Sequence, residues 1–335
     1  MDTAHLPPQD FAHAHAAALR LLSDEVGQVR QGVEDAAAGL PGPGGAAARL
    51  MTDRPGKLVR PLLVGLVHRA LGGAGGRACA DAAALVEIIH LSTLLHDDVV
   101  DEAPTRRGAP SAAAAMGNAA AVLGGDALVV RAMAQAHALG RDVVERTVHA
   151  LQQLVTGELL QLRQRGDVDL EPAGALRVAA LKTGALMRLC AEVGALTAGR
   201  ELSHAVTLGE AFVHLGIAFQ VADDVLDLAG SASVVGKAVG KDIAQGTVSF
   251  PLALALHAAP LHREALRLAL RTGLDERGLG RVVSHAVART HAVPRALQTA
   301  AAELDPVQEA LAGLPASAAR QVLAAVCAGL GRRDR

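Results

Sequence analysis

The sequence predicts an all-α protein built as a single large helical bundle. Of its 335 residues, 51% are hydrophobic, and much of that fraction is alanine, the best helix former. The β-branched and aromatic runs typical of strands are sparse, and the chain has no tryptophan, no tyrosine and four phenylalanines. No internal repeat and no shift in composition indicates a second domain. We therefore expect one domain over residues 1–335.

The first part of the chain is expected to contain three helices that lead to a charged segment. A lead-in helix is predicted within residues 1–40, followed by a Pro/Gly linker at Pro41–Gly45, so that 1–45 precede the main bundle. A second helix is predicted from about Lys57 to Leu71, and a third opens near Asp81 and ends before Pro104. The third helix has a broad apolar face that indicates burial, formed by Leu85, Ile88, Ile89, Leu95 and Val99.

The rest of the chain is predicted to be helical, with short connections that contain glycine, proline or aspartate. The predicted helices cover about residues 119–139, 141–165, 172–199, 201–229, 250–271, 274–291, 294–312 and 316–330.

Charge and cysteine content limit the possible partners and compartments. A net charge of -2 gives no general attraction to nucleic acid or to an anionic membrane, so an anionic ligand needs local cations or a metal. The three cysteines are scattered without metal-type spacing, which indicates reduced thiols. The N-terminus lacks signal-peptide features, and Gly108–Gly125, the least charged long stretch, is too rich in Gly, Pro, Ser and Asn for a membrane span. We expect a cytoplasmic protein without a transmembrane segment or a nucleic-acid partner.

Two copies of the pattern D-D-x-x-D lie on segments of helical character. They comprise Asp97, Asp98 and Asp101 in the first and Asp223, Asp224 and Asp227 in the second. In each, the first and last carboxylates share one helical face. Three like charges so close together among apolar neighbours would repel and raise one another's pKa values unless a cation sits among them. A solvated acidic surface is a common explanation for a single cluster of this kind. It does not readily explain two such clusters that both lie among the apolar residues of buried segments. Carboxylate sets without His or Cys suit Mg²⁺, which binds few carboxylates together with substrate phosphate oxygens. The sequence therefore predicts a Mg²⁺–diphosphate clamp.

Both motifs, in this order, resemble those of the trans-isoprenyl diphosphate synthase family (the all-trans polyprenyl synthetases), with family-like spacing from about Pro55 to Pro251. The resemblance implies the isoprenoid synthase bundle with a central substrate cavity, and a homodimer. It implies condensation of isopentenyl diphosphate with an allylic diphosphate (dimethylallyl, geranyl, farnesyl or geranylgeranyl). Three Mg²⁺ ions would be held by Asp97, Asp101 and Asp223, supported by the other three aspartates. Metal and cations would withdraw charge from the allylic diphosphate, its C–O bond would ionise, and the alkene of isopentenyl diphosphate would attack the cation.

The resemblance also implies which residues bind the two diphosphates. RPGKLVRPLL is similar to the family's G-G-K-R-x-R-P, and R-R-G follows the first aspartates as in the family, with one arginine expected on each diphosphate. His90 stands where the family contacts isopentenyl diphosphate. The full expected set is Lys57, Arg60, His90, Arg106 and Arg107, with Lys182 and Thr183 of KTGALM, Gln220 of FQVADD, and Lys237 of the downstream Gly-Lys.

The chain departs from the family pattern near both ends of this set. Pro55 stands where Gly is usual, and Leu58 where Arg is usual. In DIAQGTVSFP, Thr247 replaces the second lysine of D-x-x-x-G-K-x-T-x-P, and Ser249 replaces the threonine. A missing cation at this point predicts weaker diphosphate binding beside the second motif, and the nearby Lys241 is a candidate replacement.

Residues one turn before the first aspartates are expected to set the product length. Ser92 and Thr93 are small, whereas short-chain farnesyl-type enzymes typically carry aromatic residues there. Ile89 lies deeper on the same face, and Met133 or Val130 is a candidate floor across the tunnel. We therefore expect a product of medium or long chain. Geranylgeranyl diphosphate is the alternative, if Ile89 or Met133 closes the tunnel early.

Two other functions share the same bundle. A terpene cyclase must steer a folded carbocation, usually with aromatic faces, and four phenylalanines offer few of these. A regulatory subunit of a heteromeric synthase typically has eroded aspartates, and here both motifs are complete. The sequence therefore favours a catalytic homomer.

Overall fold

The computed structural model describes residues 11–53, 56–229, 243 and 245–332, and its regular structure is almost entirely helical. The all-α prediction is confirmed. The first half contains α1 (Phe11–Leu21), α2 (Ser23–Ala37), α3 (Gly42–Thr52), α4 (Val59–Ala70), α5 (Arg77–Val100), β1 (Thr105–Arg106), β2 (Ala109–Pro110), α6 (Ala112–Met116), α7 (Asn118–Leu139) and α8 (Arg141–Arg163). The second half contains α9 (Pro172–Ala179), a π-helical turn (Ala180–Gly184), α10 (Ala185–Thr197), α11 (Leu202–Ala229), α12 (Phe250–Ala258), α13 (Pro260–Arg271), α14 (Glu276–Arg289), α15 (Ala292–Glu303), α16 (Asp305–Ala312) and α17 (Ala318–Gly331).

The N-terminal segment differs from the prediction in two ways. The lead-in helix is interrupted at Leu22, which separates α1 from α2. The predicted linker at Pro41–Gly45 is wrong, because Pro41 precedes α3 and Pro43 lies in its first turn, where a missing N–H costs no hydrogen bond. The glycines there serve packing instead. A Cβ on Gly124 of α7 would lie 2.7 Å from the Gly44 carbonyl oxygen, so α3 and α7 cross in close contact.

Two predicted helices are each divided by a proline. The 250–271 segment breaks between α12 and α13 at Pro260, and the 294–312 segment breaks between α15 and α16 before Pro306. Proline lacks the N–H that would continue the helix, and its ring clashes with the preceding turn. The predicted helix over residues 172–199 is continuous but contains the π-helical turn at Ala180–Gly184.

The two helices that carry the aspartates, α5 and α11, form the middle of the bundle. α5 packs against α2, α4 and α7, whereas α11 packs against α15 and α17, and α10 contacts both of them. The core along these helices is fully buried and mostly aliphatic, for example at Ile88, Leu95 and Leu215, with Phe212 as an aromatic member.

Three helices, α5, α7 and α11, are long and apolar enough to cross a membrane, by length and composition alone. In α5 and α11 most of the apolar stretch is buried inside the bundle, so their hydrophobicity is that of core helices. α7 buries less than half of its stretch and exposes apolar side chains.

Candidate active site

The first aspartate motif occupies the C-terminal end of α5. Burial, together with the neighbouring carboxylates of Glu158 and Asp101, raises the pKa of Asp97 from 3.8 to about 7, against the opposing charge of Lys182. Asp98 is fully buried, which also raises its pKa, and its Oδ2 has no hydrogen-bond partner among the described residues. Asp101 lies just beyond the last turn and is exposed. The motif thus places two of its carboxyl groups in partly desolvated surroundings, where their charged forms are disfavoured.

The R-R-G segment forms the turn of a two-residue β-hairpin that was not predicted. Thr105 pairs with Pro110 and Arg106 with Ala109. Arg107 and Gly108 both have positive φ, at 51° and 77°, as the tightest hairpin turns require.

The hairpin directs the two arginines to different partners. The Nε of Arg106 donates a 2.7 Å hydrogen bond to Asp98 Oδ1, so Arg106 folds back onto the first motif. The Arg107 guanidinium lies against Gly56, whose Cβ, if present, would be 2.8 Å from its Nη2.

The second aspartate motif, near the C-terminal end of α11, is tied into a hydrogen-bond chain. The Thr183 hydroxyl donates to Gln220 Oε1 at 2.7 Å, and Gln220 Nε2 donates to Asp224 Oδ1 at 2.9 Å. The backbone N–H of Phe250 donates to Asp224 Oδ2 at 3.3 Å. Asp223 is half-buried beside this chain, and Asp227 is exposed. These hydrogen bonds fix the orientation of Asp224 relative to the π-helical turn and α12.

Lys182 connects the π-helical turn to the opposite side, α8. Its ammonium lies 2.6 Å from Glu158 Oε1 and donates to Gln161 Oε1 at 2.6 Å. Gly157 permits this approach, because a Cβ there would lie 2.8 Å from Lys182 Cγ and 3.1 Å from its backbone nitrogen. A π-helical turn adds a residue to the helix and is often found at functional sites. Here it turns Lys182 toward α8 and Thr183 toward α11.

A cavity of about 140 Å³ lies between these groups. Its lining includes Gln161, Lys182, Gln220, Asp224, Thr247 and Phe250. The sequence analysis did not identify Glu158 or Gln161. In the sequence they form only a polar i, i+3 pair, which resembles an ordinary solvated pair. The fold shows that this pair is directed inward, on a helix whose other face is apolar and exposed.

A second group of cations gathers where α4 begins. Burial lowers the pKa of His90 well below its usual value, and the nearby charges of Arg60, Arg107 and Arg106 lower it further. Burial raises the pKa of Glu87, one turn earlier on α5, while Arg60 and Arg107 oppose that rise. Arg60 and Arg107 therefore lie close enough to His90, which the resemblance assigns to isopentenyl diphosphate, for their charges to act on it.

Lys57 lies at the edge of this group, toward the N-terminal helix. Its ammonium stands 5.6 Å above the centre of the Phe11 ring, and its carbonyl oxygen contacts His15 Nε2 at 2.6 Å. Leu58, where the family usually has Arg, is buried with a left-handed φ of 53° and precedes the first turn of α4.

The residues expected to set product length lie on α5 and α7, away from the cavity described above. Ser92 and Ile89 are buried, and the Ser92 hydroxyl donates to the Ile89 carbonyl at 2.7 Å. Thr93 and Met133 are half-buried. None of the four lines the 140 Å³ cavity. Val130 is 67% exposed on α7, so the prediction that it forms a tunnel floor is wrong for this chain.

The first motif fits a divalent cation chemically. The donors are carboxylate oxygens, Asp98 leaves one of them buried and without a hydrogen bond among the described residues, and burial with neighbouring carboxylates raises the pKa of Asp97. Within the described ranges no three His, Cys, Asp or Glu side chains converge into a complete protein-only site. Such a set matches a metal that takes its remaining ligands from a substrate. Lys237 and Lys241 lie outside the described residues.

An all-helical bundle that carries two aspartate motifs, with Lys182 and Asp224 lining a cavity, is the architecture of the isoprenoid synthase class. The chain matches the polyprenyl synthetase family over residues 45–283. It is 34% identical over 332 residues to the octaprenyl diphosphate synthase of Escherichia coli, covering 98% of each chain. It is 31% identical over 314 residues to component 2 of the heptaprenyl diphosphate synthase of Geobacillus stearothermophilus, covering 93% of this chain and 97% of that one.

The fold has the same relatives. A solved polyprenyl synthase of Caulobacter crescentus CB15, complexed with calcium and isoprenyl diphosphate, superposes with a TM-score of 0.88 at 30% identity, covering 96% of this chain and 98% of that one. The chain therefore belongs to the polyprenyl synthetase family, whose members are prenyl-transferring enzymes.

Proposed function

We propose that this enzyme condenses isopentenyl diphosphate with an allylic diphosphate, head to tail, to give an all-trans polyprenyl diphosphate of medium or long chain. The arrangement around Lys182 and Thr183 carries the proposal. Lys182 contacts Glu158 and Gln161 on the side of the first aspartate motif. Thr183 donates a hydrogen bond to Gln220, which in turn donates to Asp224 of the second motif. The names of the related octaprenyl and heptaprenyl synthases support the product class.

The carboxylates hold the metal in this proposal, with Asp97, Asp101 and Asp223 as the principal ligands of about three Mg²⁺ ions. Asp98, Asp224 and Asp227 support them. Bound Mg²⁺ would supply Lewis-acid stabilisation of the diphosphate leaving group. The calcium-bound relative supports a divalent cation in this fold.

The remaining residues bind and orient the two substrates. Lys182 lines the cavity and, with the adjacent Thr183, would bind the allylic diphosphate, while Gln220 fixes Asp224 beside them. Arg60, His90 and Arg107, with Lys57, would bind isopentenyl diphosphate, so that its alkene attacks the allylic carbon as the C–O bond ionises. His90 is held neutral by burial, which lets it donate or accept a hydrogen bond without adding charge. The released diphosphate would take the proton, so no side chain is required as the base.

We also propose a cytoplasmic homodimer formed through α7 and α8. These adjacent helices expose apolar side chains by more than half at Leu123, Val130, Val155 and Leu159. An apolar stripe of this kind on two packed helices is unusual on a monomer, and a second copy of the same stripe would cover it.

The test is incubation of the purified chain with Mg²⁺, isopentenyl diphosphate and farnesyl diphosphate, with product analysis by mass spectrometry. We expect diphosphate release and linear products longer than the primer. A cyclic hydrocarbon would indicate a terpene cyclase, and a purified homomer without turnover would indicate a subunit of a heteromeric synthase. Products that stop at geranylgeranyl diphosphate would limit the proposal to that shorter chain.

Two variants serve as controls on the site. Asp97→Ala and Asp223→Ala should each lower turnover by about 10³-fold or more, because each removes a charged ligand at the reacting diphosphate. Their helix content, measured by circular dichroism, should match the wild type. An active Asp223→Ala variant would contradict the role of the second motif.

A further inference from the structure

Arg165, in the turn after α8, lies at a junction of three chain segments. Its Nη2 is 2.8 Å from Asp101 Oδ1 and 3.4 Å from the Val100 carbonyl oxygen, at the C-terminal end of α5. The next residue, Gly166, donates its backbone N–H to the Gly246 carbonyl at 2.8 Å. Gln245 closes the junction, because its Nε2 donates to the Asp101 carbonyl at 3.2 Å. Arg165 thus joins the first aspartate motif to the loop that leads into α12.

The backbone of this junction is closely packed, and this packing holds the backbone of Arg165 in place. Gly246 has a φ of 85°, and a Cβ there would lie 3.1 Å from both Arg165 Cβ and Gly166 N. Gln164, which precedes Arg165, and Gly246, which packs against it, both line the 140 Å³ cavity. Arg165 therefore lies next to the cavity that the proposed reaction uses, with its side chain extending to Asp101.

The charge and exposure of Arg165 suit an anionic ligand better than a structural ion pair. Its side chain is 34% exposed and that of Asp101 is 47% exposed, and ion pairs so accessible to water add little to stability. Only Nη2 is engaged, so among the described residues the remaining guanidinium N–H groups have no hydrogen-bond acceptor. A guanidinium with a free edge matches phosphoryl oxygens in a bidentate manner.

We propose that Arg165 is a diphosphate-binding residue, which supplies at the cavity rim the positive charge that the adjoining loop does not carry. Residues 246–249 of that loop contain no cation, and the neutral Thr247 lines the cavity. Arg165 reaches the same rim from the α8 side. Its pairing with Asp101 places the guanidinium beside one of the aspartates proposed to bind the metal. The inference rests on the proposed function for the identity of the diphosphate as that of an allylic substrate.

The experiment measures binding of inorganic diphosphate in the presence of Mg²⁺ by isothermal titration calorimetry on the full chain. Arg165→Ala should weaken binding about tenfold, which corresponds to one charge-assisted contact at a partly exposed site. Arg165→Lys should lose less, because it keeps the charge but not the fork. The matched control is Arg163→Ala, since Arg163 is exposed two residues away and has no hydrogen bond or ion pair in the part of the chain that the structure describes. It should bind as the wild type does.

A rescue variant separates direct binding from an indirect effect on Asp101. Arg165→Ala/Thr247→Lys restores a cation from the facing loop and should recover most of the lost affinity. Mg²⁺ titrated alone should bind the Arg165→Ala variant as tightly as the wild type or more tightly, because a cation that competes for Asp101 has been removed.

Three outcomes would overturn the proposal. They are an Arg165→Ala affinity for diphosphate within about twofold of the wild type, an equal loss in Arg163→Ala, and a loss of affinity for Mg²⁺ alone. In steady-state assays the Arg165→Ala variant should raise KM for the allylic diphosphate more than it lowers kcat. Because diphosphate binding needs no turnover, a wild type that binds it but does not condense substrates would refute the proposed function and leave this inference standing.

Discussion

The crossing of the π-helical turn and α11 at Gly184 and Gly216 predicts a large effect from adding one methyl group. A Cβ on Gly216 would lie 2.4 Å from Gly184 Cα and 2.6 Å from Gly184 N. Since these are backbone atoms that cannot turn away as a side chain can, Gly216→Ala must separate the helices by about 1 Å. We expect the free energy of unfolding to fall by about 2 kcal/mol, an overpacking cost of about 3 kcal/mol offset by about 1 kcal/mol of helix propensity.

The same displacement should impair the site, because the crossing lies one turn from the Thr183–Gln220 hydrogen bond of 2.7 Å. A shift of about 1 Å between positioned groups lowers turnover by about 10²-fold. The assays are urea denaturation followed by circular dichroism, and steady-state turnover. Gly27→Ala in α2 is the matched control, because a Cβ there meets nothing within 4 Å and should stabilise the protein slightly. A Gly216→Ala variant as stable and active as Gly27→Ala would refute this reasoning.

Four further predictions concern the metal, the pH dependence of stability, the product and the assembly. Because the pKa of Asp97 is about 7 in the metal-free protein, Mg²⁺ must displace a proton, and its calorimetric affinity should fall by up to about tenfold per pH unit below pH 7, but not in Asp97→Asn. The folded pKa lies above the unfolded one, so this carboxyl destabilises the metal-free fold as pH rises from about 4 to about 7, and Asp97→Asn should raise the urea midpoint at about pH 8 but not at about pH 4. Ser92→Phe should shorten the product, as measured by mass spectrometry, and an unchanged chain-length distribution would contradict its assignment to the tunnel. Leu159→Glu should convert a dimer to a monomer in light scattering, whereas Leu261→Glu, at a site 85% exposed on α13, should not; equal behaviour of the two variants would contradict the α7–α8 interface.

The fold class and most helix positions could be predicted from the sequence, because helical periodicity and breaking residues are local properties. The errors also have local causes. Pro41 and Pro43 read as a break, although proline is equally suited to the first turn of a helix, and only the packing of α3 on α7 decides between the two. The hairpin at Arg107 and Gly108 was hidden because its strands have two residues each, too few to show a period.

The candidate site was only partly predictable for a different reason. The aspartates, Lys182 and Gln220 belong to motifs that can be recognised along the chain. Glu158 and Arg165 do not, because each gains its role from a partner distant in sequence: Lys182 for the first and Asp101 for the second. A charged residue at the end of an amphipathic helix looks the same whether it faces water or another segment.

The sequence by itself determined the helical class, the two carboxylate clusters and the chemistry that such clusters permit, because residue type and spacing fix charge, helical face and metal preference. The tertiary structure decided which of the charges meet. The π-helical turn directs Lys182 and Thr183 to opposite sides, the hairpin returns Arg106 to Asp98, and the junction after α8 places Arg165 on Asp101. These pairings depend on close backbone contacts between distant segments, and such contacts exist only once the helices have packed.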